Sequence, residues 1–207
     1  MPAAGQLLGG LANIANSWKA VALFWHLYFG AIVLILVLGI RSMKRTTGLL
    51  LAFPLFSVSA MAWMAANPFN GAVFALLGIL LVSVSVRLGR DSVKISRRCF
   101  FIAGAFMFAF GWLYPHFLKS SSLLPYLYMA PTGLVPCPTL AIVIGLALIL
   151  EGLDSRALCG ILGAAGLFYG IFGVARLGVA LDWGLVLGAI VILFFVFTQR
   201  SEKKLNK

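Results

Sequence analysis

The sequence predicts an all-α fold, a polytopic membrane helical bundle of about seven transmembrane helices. Composition comes first: of 207 residues, 62% are hydrophobic and only 10% charged, with a mean hydropathy of +1.07. Such a chain has too few polar groups to cover itself in water, which excludes a soluble globular domain. Apolar runs of roughly 20 residues, the length that crosses a hydrocarbon core about 30 Å thick, recur along nearly the whole chain. The cationic residues fall in the short gaps between those runs.

Residues 1–19 carry no cation before Lys19, so they lack the positive region that opens a secretory signal peptide, and nothing here looks cleavable. Leu7, Leu8, Leu11 and Ile14 share one helical face, with Gln6, Asn13, Asn16 and Ser17 elsewhere. That pattern predicts a short helix lying in the membrane interface, a frayed tail being the alternative. Spans follow at about 20–40, 48–66, 71–87, 98–118, 134–151, 157–175 and 182–198, the third at the lower limit for crossing. Residues 20–198 therefore form one transmembrane domain, with no internal repeat and loops too short for another, and 199–207 form a basic tail. The sixth span holds Gly160, Gly163, Gly166, Gly170 and Gly173, a ladder of small residues that lets backbones approach and places this helix at the bundle centre.

Charge sets orientation. Arg41, Lys44, Arg45, Arg87, Arg90, Lys94, Arg97, Arg98, Arg156, Arg200, Lys203, Lys204 and Lys207, thirteen in all, fall on one side, and Lys19, Lys119 and Arg176 on the other. Positive charge favours the cytoplasmic side, so the N-terminus is expected outside and the C-terminus in the cytoplasm. In a soluble protein a net charge of +11 suggests nucleic acid as partner. Here the predicted partners are the bilayer, anionic lipid headgroups at the cytoplasmic face and other membrane subunits, with no nucleic acid.

Ionisable residues at membrane depth are costly and so are candidate functional groups. This topology gathers His26, Asn67, Asn70, Tyr114, His116, Pro136, Cys137, Pro138, Arg176 and Asp182 near the outer face. The most distinctive stretch is 130–139, where Pro131, Gly133, Pro136 and Pro138 interrupt an apolar run containing Thr132, Cys137 and Thr139. Proline has no N–H, so Pro136 and Pro138 leave the carbonyls of Thr132 and Leu134 without helical donors. Either these free carbonyls, the thiol and the Thr139 hydroxyl face one small cavity, as in broken transporter helices, or the prolines simply start the fifth span. Arg176 and Asp182 flank a tight turn and are expected to pair, while Glu151, Asp154 and Arg156 read as solvated loop charge.

The segment Gly133-Leu134-Val135-Pro136-Cys137-Pro138-Thr139, after Leu113-Tyr114-Pro115 and Ala130-Pro131-Thr132, resembles the G-x-x-P-C-P-T signature of an uncharacterised family of bacterial multi-pass inner-membrane proteins. Trp18, Asn67-Pro68, Gly166 through Gly178 and Asp182 extend the similarity. The resemblance implies the architecture and a bacterial inner (plasma) membrane location and singles out Pro136, Cys137, Pro138 and Thr139, but it implies no reaction. The shorter Gly-Leu-Val-Pro-Cys-Pro stretch is also similar to a segment of nickel and cobalt exporters. Their His- and Asp-rich motif has no counterpart here, since neither histidine is followed five residues later by Asp or His.

No resident cofactor is predicted. Cys137 with His26 or His116 offers soft ligands of the kind Cu(I) takes, and His26 in an apolar helix is a conceivable ligand for haem or chlorophyll, against the plainer reading of a histidine hydrogen-bonded across helices. Cys99 and Cys159 lie roughly 20 Å from Cys137 along the spans, beyond the reach of a disulfide. The last span has no lysine for a retinal Schiff base, and no phosphate-binding loop or His-Glu-x-x-His zinc site is present. Two functional classes stay open: a small-solute or ion transporter with an outward-facing site at the PCPT turn, and an accessory or structural subunit of a larger membrane complex. An enzyme is the less expected outcome.

Overall fold

The computed structural model describes residues 4–120, 122 and 124–205, with side chains through residue 198. Among them the chain forms α1 (Ala4–Ser17), α2 (Lys19–Val37), α3 (Lys44–Met64), α4 (Pro68–Ser85), α5 (Arg98–Leu113), α6 (Tyr126–Met129), α7 (Pro136–Ile149), α8 (Arg156–Leu177) and α9 (Trp183–Leu205). Helices α2, α3, α4 and α8, and the segment Ala180–Thr198, are long and apolar enough to cross a membrane, while α5 and α7 are apolar but shorter. Large apolar side chains such as Leu27, Phe53, Leu76, Phe106 and Phe194 face outward, consistent with a helical membrane bundle. The basic groups of the tail, Arg200, Lys203, Lys204 and Lys207, lie outside the described side chains.

Each predicted span contains one apolar helix, with ends set by local chemistry. The third is not the shortest: α4 starts at Pro68, a residue suited to a first helical position, and the Asn67 side chain accepts the Asn70 N–H at 3.2 Å. α5 stops at Leu113 because Tyr114 precedes Pro115 and leaves helical geometry. α7 is the short one, at 14 residues. It starts at Pro136, so both prolines sit in its first turn, where their missing N–H groups would have had no helical acceptor.

The most enclosed helix is not the one the glycine ladder predicts. α7 is buried from Pro138 to Leu148 and packs on α3, α5, α8 and α9. Gly104 and Gly111 on α5 press against the backbone of α7 at Gly145 and Pro138, and Gly145 presses back on Phe108. Gly163, Gly170 and Gly173 of α8 instead mate with α9 and its preceding turn, Gly166 faces both Ile144 of α7 and Ala189 of α9, and Gly160 meets nothing. The ladder thus brings α8 close to α9 without enclosing α8. Sheathed by protein, the short α7 does not have to match the thickness of a bilayer.

Polar groups gather at two ends. At one, Lys44 bonds Asp91 and reaches Asp154 at 3.6 Å, and residues 42–44 pair with 91–93. Asp154 is therefore engaged rather than merely solvated. Within the bundle, Pro54 in α3 cannot donate to the carbonyl of Leu50, and the Tyr28 hydroxyl of α2 donates to that oxygen at 2.9 Å instead.

Tyr28→Phe should cost about 1–3 kcal/mol by orphaning that carbonyl, and much less in a Pro54→Ala background, where the helical N–H returns. Unfolding of the four proteins in a double-mutant cycle measures it. A second expectation concerns Asp91, whose carboxyl is held below its usual 3.8 chiefly by the hydrogen bond from Lys44. Its contribution is fully present above about pH 4 and is lost as pH falls through the lowered value. Melting temperatures taken from about pH 6 to about pH 2 should therefore fall less steeply at the acid end for Asp91→Asn than for the parent.

Candidate functional site

At the other end of the bundle the chain buries a carboxylate. α8 ends at Gly178 in the left-handed conformation (φ 70°), and a turn through 180–182 reverses the chain into α9. Asp182 is thereby folded under the end of α8, only 1% exposed. Its carboxylate lies against Gly173, where a β-carbon would overlap it, so the last rung of the glycine ladder makes room for an acid.

Two donors from different helices meet that carboxylate. Tyr114, fully buried at the end of α5, donates its hydroxyl to Oδ1 at 2.6 Å. Cys137, in the first turn of α7, donates its thiol to Oδ2 at 3.3 Å. Both are neutral. Beside them is a cavity of about 30 Å³ lined by Pro136, Cys137, Asp182, Asn70, Tyr169 and Phe117, among others. A space of that size holds one water molecule or one small ion. The Tyr169 hydroxyl donates to Asn70 Oδ1 at 3.0 Å, tying α8 to α4 at its rim.

The structure thus brings together Asn70, Tyr114, Pro136, Cys137 and Asp182 from the expected set, with His116 near enough to act on the Asp182 charge, and leaves others apart. Arg176 is exposed and forms no ion pair with Asp182, because the turn commits that carboxylate to Tyr114 and Cys137. Thr132 and Thr139 are fully buried but spend their hydroxyls on the backbone. Thr132 donates to the Gly111 carbonyl at 2.8 Å, and Thr139 donates to the Val135 carbonyl at 2.7 Å and accepts the Gly133 N–H at 2.8 Å. These bonds hold the 130–135 turn, where Gly133 (φ 75°) lies flat on Trp25. Thr132, Pro138 and Thr139 shape the turn and do not line the cavity.

His26 is 4% exposed, with Nδ1 2.8 Å from the Ala22 carbonyl and Nε2 3.2 Å from that of Trp112. Both ring nitrogens face backbone carbonyl oxygens, the arrangement of a histidine hydrogen-bonded across helices. His116 is half-buried, its ring 4.3 Å from that of Phe117. Among the described residues no group of three His, Cys, Asp or Glu side chains is placed to hold a metal ion. The three cysteines are free: Cys99 exposed, Cys137 half-buried and Cys159 buried.

Tyr169, Phe117 and the role of Gly173 escape a reading of the sequence. A tyrosine in a glycine-rich apolar helix is a usable signal, since a buried phenol needs a partner. No protein-family model matches the chain, and no curated protein or solved structure matches it significantly.

Tyr114→Phe should destabilise by about 1–3 kcal/mol because one carboxylate oxygen loses its donor, whereas Arg176→Ala should stay within about 0.5 kcal/mol. Denaturant unfolding in micelles compares them. Equal costs would return Arg176 to the role of partner.

Proposed function

We propose that the chain is a multi-pass protein of the bacterial inner membrane that acts as a small-solute or ion transporter, with Asp182 beside the PCPT turn as its ion-carrying group. The observation that carries this is a buried carboxylate whose hydrogen-bond partners are a phenol and a thiol rather than a cation. A carboxylate among apolar helices is stable only when its charge is neutralised. Tyr114 and Cys137 orient the two oxygens without supplying that charge. A proton or one small cation does, and the adjoining cavity has room for it.

Two further features support the reading. The irregular backbone of 130–135 is buried in protein, the setting in which non-helical segments persist at membrane depth. The excess of Lys and Arg in the gaps at the Lys44 end favours that end as cytoplasmic, against anionic headgroups, and so turns the Asp182 end outward.

Charge displacement across a solid-supported membrane carrying the reconstituted protein tests this without a known co-substrate. Steps in pH, or in sodium or potassium at fixed pH, should give a protein-dependent current transient that Asp182→Asn abolishes and Asp91→Asn leaves intact. A transient that survives in Asp182→Asn would remove Asp182 from the carrier role. No transient for any step would favour an accessory or structural subunit of a membrane complex.

A further inference from the structure

A larger cavity, of about 520 Å³, lies between α1 and the turn that follows α5, and Phe117 lines both it and the Asp182 cavity. Its volume falls within the range of about 300–1,000 Å³ typical of small-molecule sites. Leu8, Ala12 and Phe117 give it apolar walls, and Asn13, Asn16, His116 and Lys119 give it polar ones. Among the described residues no acidic side chain lines it, although the Asp182 carboxyl lies near enough to His116 to attract it.

The polar groups divide into fasteners and free donors. Asn16 is a fastener: its amide donates to the carbonyls of Ala12 at 2.6 Å and Phe117 at 2.8 Å, and its oxygen accepts the Lys119 N–H at 2.9 Å. Those bonds fix the turn on α1 with Phe117 at φ 71°, a conformation that bulky residues seldom adopt. Asn13 accepts the Ser17 hydroxyl at 3.2 Å, which leaves its NH₂ group free. The Lys119 ammonium and the His116 ring enter no hydrogen bond or ion pair among the described residues. An exposed ammonium and an exposed amide NH₂ group, neither engaged by another described side chain, thus line one open, ligand-sized groove.

We propose that this groove binds a small amphipathic anion, its phosphate or carboxylate on Lys119 and Asn13 and its apolar body between Leu8, Ala12 and Phe117. A cation and an amide donor with no acid among the described lining residues select negative charge. The apolar walls reject a fully hydrated inorganic ion in favour of one with a hydrophobic part. A soluble organic anion and a lipid headgroup share this chemistry. The inference goes beyond the transport reading, because binding here requires neither Asp182 nor turnover.

Calorimetric titration of the full chain in dodecyl maltoside micelles, which carry no phosphate, tests it with phenyl phosphate and, as an uncharged aromatic control, benzyl alcohol. Phenyl phosphate should bind saturably, about tenfold or more tighter than benzyl alcohol, and Lys119→Gln should weaken it by a similar factor, the scale of a lost charge-assisted contact, with Lys119→Arg retaining it. Lys119 is exposed, so these variants should fold. Dihexanoyl phosphatidylglycerol in the same titration separates the sources: tighter binding than phenyl phosphate assigns the site to a lipid headgroup, and weaker binding to a soluble anion. Absence of saturable phenyl phosphate binding, equal affinity for benzyl alcohol, or unchanged affinity in Lys119→Gln would each overturn the proposal.

Discussion

Inside a bundle that turns its large apolar side chains outward, a polar group without a partner costs several kcal/mol, because no water is there to serve it. That constraint explains where this chain places its few polar side chains. Tyr28 serves the carbonyl that Pro54 abandons, and Ser59 donates to the Gly71 carbonyl at 2.7 Å between α3 and α4. Thr132 and Thr139 hold the turn before α7, and Tyr114 and Cys137 hold Asp182. Among the described residues the Ser85 hydroxyl, packed against Gly48, is the buried side-chain group left without a partner.

The same constraint connects the fold to the site. α7 can be short and start with two prolines because protein surrounds it, and protein surrounds it because glycines at 104, 111 and 145 let α5 approach its backbone. Its first turn then meets the end of α5 and the 180–182 turn, which is where Tyr114, Cys137 and Asp182 come together. The glycine of α8 that admits the carboxylate completes the enclosure. Packing in this molecule is therefore the means by which an ionisable group is carried into an apolar interior.

Much of this is legible in the sequence, for a physical reason: hydropathy and proline chemistry act locally. Each apolar run contains a helix, and Pro136 and Pro138 mark a helix start. What local patterns do not encode is which side chains meet across the bundle. Arg176 is the nearest cation to Asp182 in sequence, yet the turn folds the acid under α8 and leaves the arginine exposed. Thr132 and Thr139 look like ligands by composition and serve as structural ties, since backbone partners that only the folded turn supplies consume their hydroxyls. The glycine ladder announces a close approach but not its direction, so it pointed to α8 as the centre when the enclosed helix is α7.

The site depends on Tyr114 and Cys137 holding the Asp182 carboxyl. The infrared S–H stretching band of Cys137, recorded with Cys99 and Cys159 replaced by alanine, tests it most directly. A thiol donating to a carboxyl group should absorb below the position of a free thiol and move upward in Asp182→Asn, where the acceptor is weaker. A band at the free-thiol position that ignores the substitution would contradict the account.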